Sequence, residues 1–78
     1  MANRKEVFGE RETGNLILLQ EYLGGYNVAG SGSWVVDYYK GPYTNWKEIL
    51  AKGNTDLIKR ITVTENELMY NYERLGYL

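Results

Sequence analysis

The sequence predicts a small α+β domain in which a short antiparallel sheet packs against two or three helices. A run of β-forming residues, Trp34 to Lys40, is the clearest strand. Helix start signals occur at Asn45 and at Thr64. Apolar residues make up 44% and charged residues 24% of a 78-residue chain, which is the composition and size of one folded domain.

The first twelve residues carry alternating charges and offer only Val7 and Phe8 to a core. Segments with so little to bury are commonly poorly ordered at a chain terminus. We therefore expect a loose N-terminal arm over residues 1–12, followed by a single α+β domain over residues 13–78.

Residues 15–23 fit either a helix or a strand. Leu16, Leu19 and Leu23 recur at helical spacing just before Gly24, which would suit a helix C-terminus. The Gly24-Gly25 pair would equally suit a two-residue hairpin turn between strands. Helix is favoured, since Leu, Gln and Glu are good helix formers and only Ile17 is β-branched.

A β-hairpin is predicted around residues 26–40, from a short strand at Tyr26–Ala29 and the strong strand at Trp34–Lys40. The Gly/Ser loop between them completes no phosphate-binding pattern, and we interpret it as a flexible turn. Side chains alternate across a strand. The more apolar face should meet the core (Trp34, Val36, Tyr38, Lys40), and the face with Asp37 should meet water (Val35, Asp37, Tyr39).

Gly41-Pro42 should end this strand, and Asn45 should cap a helix over residues 45–52, with Glu48 in a capping-box relation and Gly53 at the end. Residues 55–63 are mixed. Ile61–Val63 favours a strand near 58–63, whereas Thr55 could also cap a helical turn running to Arg60.

The last predicted helix begins at a capping box formed by Thr64 and Glu67, with Val63 and Leu68 as a hydrophobic staple. Its apolar face continues at helical spacing, and Gly76 should close it. The residues on that face are Leu68, Met69, Tyr72 and Leu75.

Composition argues against catalysis and cofactors. The chain has no cysteine and no histidine, which excludes disulfides and thiolate ligands and removes the commonest general base. Of the two carboxylate pairs, Glu65/Glu67 is explained by its place at a helix N-terminus, and Glu10/Glu12 lies in the predicted arm. No Asp-x-Asp spacing or calcium loop occurs. We expect no enzyme, no metal, no cofactor and, because the longest apolar run is four residues, a cytoplasmic protein without membrane contact.

The favoured functional hypothesis is a small interaction or regulatory protein that binds a protein partner, or itself, through a tyrosine-rich hairpin and turn. Aromatic residues reach 14% of the chain, and Tyr and Trp are enriched in interfaces. In its short, acidic, cysteine-free and tyrosine-rich format, without a motif, the chain resembles small accessory proteins of bacteria and their phages. The predicted contact residues are Val35, Tyr38, Tyr39, Lys40, Tyr43 and Lys47.

The alternative hypothesis is a nucleic-acid-binding regulator that uses the basic segment 40–60 with its flanking tyrosines. This segment holds five basic residues against two acidic ones, although the whole chain has a net charge of −1. A helix-turn-helix over residues 45–60 would be one form of it. The predicted contacts are Lys40, Lys47, Lys52, Lys59 and Arg60.

Overall fold

The structure, a computed structural model, describes residues 5–24 and 32–78. Within them the strands are β1 (Glu6–Glu10), β2 (Leu16–Gly24), β3 (Ser33–Tyr39), β4 (Leu57–Thr64) and β5 (Tyr72–Tyr77). The helices are a 3-10 helix (Tyr43–Asn45), α1 (Trp46–Ala51) and α2 (Glu65–Asn71). In these two ranges, no helix is both long enough and apolar enough to cross a membrane.

The five strands form one antiparallel sheet in the order β4-β3-β2-β1-β5. Strands β1 to β4 follow one another as a meander. The short helix α2 then connects β4, at one edge, to β5, which pairs with β1 at the other edge. This architecture agrees with the α+β class and the antiparallel sheet that were predicted, but the described chain has fewer helical residues than predicted, in two short α-helices, and a larger sheet of five strands.

Each face of the sheet contains an apolar cluster. On the α2 face, one apolar cluster joins the sheet to Leu68 of α2; its buried members are Phe8, Ile17, Leu19, Val36, Val63, Leu68 and Tyr72. On the α1 face, a second cluster joins the sheet to α1; its buried members are Val7, Leu16, Leu18, Tyr39, Ile49 and Leu50. Neighbouring residues of a strand enter different clusters because side chains alternate across the sheet.

The prediction of a loose N-terminal arm is wrong for residues 6–10, which form β1 between β2 and β5. Val7 and Phe8 are 0% and 8% exposed and enter opposite clusters. Two adjacent apolar residues are therefore enough to hold this strand in the sheet, because Val7 packs in the cluster on one face and Phe8 in the cluster on the other.

The helix favoured for residues 15–23 is also wrong, since Leu16–Gly24 is β2. Four successive residues, Leu16 to Leu19, are buried. Continuous burial of this kind is expected of a strand covered on both faces, where helical and strand periodicity cannot be told apart. Gly24 has a φ of 76°, which glycine adopts without strain.

The strong strand predicted at Trp34–Lys40 is confirmed as β3, which pairs with β2 and β4. Its predicted hairpin partner, Tyr26–Ala29, lies outside the described residues. The expectation that Asp37 and Tyr39 face water is wrong, because they are only 5% and 4% exposed. Their face of β3 lies under α1 rather than in solvent, as the cluster that contains Tyr39 shows.

Helix α1 agrees with the predicted helix 45–52 to within a residue at each end. Asn45 occupies the N-cap position, but its side chain makes no capping hydrogen bond. The helical turn considered for residues 55–60 is wrong, because β4 begins at Leu57 and pairs with β3. The helix-turn-helix hypothesis over residues 45–60 is therefore wrong, because its second helix is absent from these described residues. The predicted strand near 58–63 is confirmed as β4.

Helix α2 begins as predicted, with the Thr64–Glu67 capping box formed in both directions. It ends at Asn71, however, and not at Gly76. The next residues pair with β1 as strand β5, where Tyr72 is buried. Pairing with a distant strand therefore overrides the helical spacing of Tyr72 and Leu75.

Candidate functional site

The predicted contact residues do not form one surface. Tyr39 is buried in the α1-face cluster, where Val35 lies on the same side of β3 and is half-buried. Tyr38 lies on the opposite face, and its hydroxyl donates a hydrogen bond to Glu10 Oε1. Tyr43 packs its ring on the backbone of Gly9, so closely that a Cβ there would lie 2.5 Å from the ring.

Lys40 and Lys47, the other two predicted contact residues, are exposed. The Lys47 ammonium lies 5.5 Å from the centre of the Trp46 ring, within the range of a cation–π contact. The chain neighbours of these lysines, Tyr39 and Trp46, pack in the α1-face cluster. This region therefore exposes positive charge but little aromatic surface.

The predicted nucleic-acid contacts are also divided. Lys59 and Arg60 pair with Tyr38 and Asp37 of β3, and therefore project to opposite faces of the sheet. Arg60 forms an ion pair with Asp37 at 2.7 Å, and Lys52 forms one with Asp56 at 2.9 Å. Two of the five cations are thus already neutralised by a partner within the chain.

A concave apolar surface occurs instead on the α2 face. We call it the α2 groove; its volume is about 300 Å³, and its lining is Glu6, Phe8, Leu19, Trp34, Glu65, Leu68, Met69 and Arg74. It combines residues of β1, β2, β3, α2 and β5. Apolar and aromatic side chains form most of it, with three charged residues beside them.

The groove exists because α2 is too short to cover its face of the sheet. A seven-residue helix is about 10 Å long, whereas five strands about 4.8 Å apart span about 19 Å. On the other face, the 3-10 helix extends the cover that α1 provides. The α2 face is therefore left with uncovered apolar residues beside the helix.

Aromatic contacts shape the groove. Trp34 and Tyr22 pair across β3 and β2, with ring centroids 4.9 Å apart and planes tilted by 53°. The Arg74 guanidinium lies 6.0 Å from the centre of the Phe8 ring. Met69 stands out from the helix and is 67% exposed, so a large flexible apolar side chain borders the groove in contact with solvent.

Charged groups at the groove are held by short contacts. Glu65 Oε1 accepts hydrogen bonds from the Tyr22 hydroxyl at 2.9 Å and the Gly32 amide at 3.2 Å. The hydrogen bond to Glu65 raises the pKa of Tyr22, with smaller contributions from burial and from the carboxylate charge. Arg74 Nε lies 2.8 Å from Glu6 Oε2, which is buried and accepts no well-directed hydrogen bond.

A second concavity, the α2 end cavity, lies at the other end of the helix. It has a volume of about 340 Å³ and is lined by Glu10, Arg11, Glu12, Tyr70 and Asn71. The Arg11 guanidinium donates to the Tyr72 carbonyl from Nε and Nη2, at 3.3 and 3.2 Å. Burial and then the nearby Glu10 charge raise the pKa of Tyr72 to about 12.

Comparison of the chain with protein-family models, with curated proteins and with solved structures finds no match.

Sequence reasoning missed Tyr22, Met69 and Tyr70 as surface residues. Met69 was assigned to the core face of a helix, yet Met69 and Tyr70 are adjacent and cannot both lie on the face that buries Leu68. That adjacency was the available signal for an exposed apolar residue on α2.

Proposed function

We propose that this protein is a non-enzymatic binding module that receives an apolar side chain of a protein partner in the α2 groove. One observation carries the proposal: a concave surface lined by Phe8 and Trp34 includes Met69, a large apolar side chain of α2 that is 67% exposed. Interface centres are enriched in aromatic residues and Met, the residue types that this open groove presents to solvent.

The composition of the groove supports binding over catalysis. Among the described residues, its lining holds aromatic and aliphatic side chains, two glutamates and an arginine, and it contains no hydroxyl or amine nucleophile. Arg74 is engaged with Glu6 and Phe8. The arrangement therefore favours recognition of a shape and a charge.

The β4 edge of the sheet supports the groove as the contact surface. Unpaired edge strands invite another strand unless charges or bulges protect them. Edge strand β4 carries Lys59 and Arg60, and its pairing with β3 is interrupted by a register shift. Extension of the sheet by a second copy at this edge would place like charges close together.

Site-specific photo-crosslinking in the organism that makes the protein tests this proposal. A photoreactive amino acid at Met69 should capture one protein, which mass spectrometry then identifies. Ile58 is the matched control, because it is 52% exposed and apolar but lies on β4, away from α2. The Trp34→Ala change in the groove should remove the adduct formed from position 69.

Absence of an adduct at position 69 would remove the proposal, and three kinds of adduct would contradict it. The first is equal capture of the same protein from positions 58 and 69, which would indicate non-specific contact. The second is an adduct between two copies of this chain, and the third is an adduct with nucleic acid. The last would revive the alternative hypothesis that assigned contacts to the basic segment 40–60.

A further inference from the structure

On the basis of the proposed function, we infer that the partner presents a basic segment, in which arginine or lysine flanks the apolar side chain seated in the α2 groove. Such a segment would be complementary in charge to the surface on both sides of α2.

The surface around α2 carries more negative than positive charge. The α2 groove and the α2 end cavity together are lined by four glutamates and two arginines: Glu6, Glu10, Glu12, Glu65, Arg11 and Arg74. Arg74 is paired with Glu6, whereas Arg11 donates to the neutral Tyr72 carbonyl and keeps its positive charge. Four glutamates against two arginines leave the two linings with a net charge of −2. Neither arginine pairs with Glu65 or Glu10, whose contacts are with other groups.

Glu65 and Glu10 are bonded to neutral donors. Glu65 accepts from the Tyr22 hydroxyl and the Gly32 amide, and Glu10 accepts from the hydroxyls of Thr13 and Tyr38. Hydrogen bonds from neutral groups hold a carboxylate in place but leave its charge uncompensated. The raised pKa values of Tyr22 and Tyr72 at the two ends of α2 are consistent with these negative charges.

The apolar residues stand between these charges. Met69 lines the α2 groove and Tyr70, its neighbour in the chain, lines the α2 end cavity. Glu65 lies one helical turn before Met69, and Glu10 and Glu12 line the cavity with Tyr70. A segment that follows this surface therefore meets negative charge, apolar side chains and negative charge again, which favours a basic segment with an apolar centre and disfavours an acidic one.

A titration with defined peptides tests the inference on the whole protein. The probe is a short acetylated peptide that alternates arginine with leucine, and the matched probe replaces each arginine by glutamate. Amide chemical shifts of the isotope-labelled protein should move for residues of the α2 groove with the arginine peptide, and should stay unchanged with the glutamate peptide. Added salt should weaken the binding, as expected of exposed charges.

Two variants locate the effect. Glu65→Gln keeps a hydrogen-bond acceptor for Tyr22 and Gly32 but removes the charge, and should weaken binding about two- to fivefold. Met69→Ser removes an exposed apolar contact and should weaken it at least about fivefold. Glu48→Gln is the control on α1 and should leave binding unchanged, since Glu48 is exposed on the other helix.

The inference fails if both peptides bind equally, if the glutamate peptide binds better, or if Glu48→Gln weakens binding as much as Glu65→Gln. If any of these results is found together with specific crosslinking at position 69, the partner segment is not basic, but the proposed function is still supported. Absence of crosslinking at position 69 would instead remove the proposed function.

Discussion

Asp37 is a charged side chain that the sheet holds almost out of contact with water. Its two carboxylate oxygens accept hydrogen bonds from Arg60 Nε at 2.7 Å and Nη2 at 3.2 Å. Gln20 Nε2 donates to the same carboxylate at 3.0 Å, and Gln20 Oε1 in turn accepts from Lys5 Nζ at 2.6 Å. This row of side chains connects Lys5, which directly precedes β1, to Gln20 of β2, Asp37 of β3 and Arg60 of β4.

Replacement of Asp37 by alanine should destabilise the protein by about 1–3 kcal/mol, because Gln20 and Arg60 lose their shared acceptor within the sheet. Asp56→Ala is the control, since it breaks an ion pair with the exposed Lys52 and should cost less than about 1 kcal/mol. Urea unfolding followed by circular dichroism measures both. If the two variants lose the same free energy of unfolding, the row of side chains around Asp37 does not stabilise the sheet.

Tyr72 makes stability depend on alkaline pH. Its folded-state pKa of about 12 lies above the ordinary value of 10.0, so the folded protein favours the neutral phenol. The stabilising contribution is fully present below pH 10 and is lost as the pH rises through about 12. Urea midpoints should therefore fall across this range.

Tyr72→Phe should flatten that fall, because the variant has no phenol to ionise. Part of the fall should remain, since burial raises the pKa of Tyr39 and the hydrogen bond to Glu65 raises that of Tyr22. Tyr70→Phe, which alters a ring that is 73% exposed, is the matched control. A pH profile of Tyr72→Phe identical to that of the unmodified protein would contradict this account of Tyr72.

At the scale of elements, α2 depends on its capping box. Thr64 Oγ1 accepts from the Glu67 amide at 3.1 Å, and Glu67 Oε1 accepts from the Thr64 amide at 2.9 Å. These bonds satisfy amides at the start of a helix of only seven residues, which has few internal hydrogen bonds of its own. Because the capping box sets where α2 begins, it also sets the position of Met69 beside the groove.

Thr64→Ala should destabilise the protein by about 1 kcal/mol, the usual cost of removing a capping side chain. Thr44→Ala is the control: Thr44 is exposed in the 3-10 helix, and its change should alter stability by less than about 0.5 kcal/mol. Thermal unfolding compares the two. A Thr64→Ala protein as stable as Thr44→Ala would mean that contacts of Leu68 alone fix α2.

Elements with strong local signals were predictable from the sequence, and elements that depend on distant pairing were not. β3, α1 and the start of α2 have β-forming residues or capping residues of their own. β1 has only Val7 and Phe8 to identify it, and β5 has the spacing of a helix until it pairs with β1. The energy of that pairing comes from another part of the chain, which no local pattern contains.

The candidate site was less predictable than the fold for the same reason. Phe8, Trp34 and Leu68 meet in the α2 groove, although they are widely separated in the sequence. Tyrosine abundance indicated a contact surface, but most of the tyrosines around β3 are committed to the interior or to hydrogen bonds. In a sheet with apolar clusters on both faces, the position of a tyrosine in the sequence does not tell whether its ring is buried or exposed.

At the scale of the whole molecule, the two faces of the sheet differ in how well they are closed. The α1 face is closed by α1, Tyr43 and Trp46, the last of which packs over Gly76. The α2 face retains the groove beside Trp34. Each face therefore contains one of the two tryptophans, and their fluorescence can report on the faces separately.

The most direct test is a fluorescence titration of two single-tryptophan variants with the arginine–leucine peptide. In Trp46→Phe the remaining Trp34 reports on the α2 groove, and in Trp34→Phe the remaining Trp46 reports on the α1 face. We expect a saturable change in the emission of Trp34 and no change in that of Trp46. A response of Trp46 alone, or equal responses of both, would contradict the assignment of the contact surface to the α2 groove.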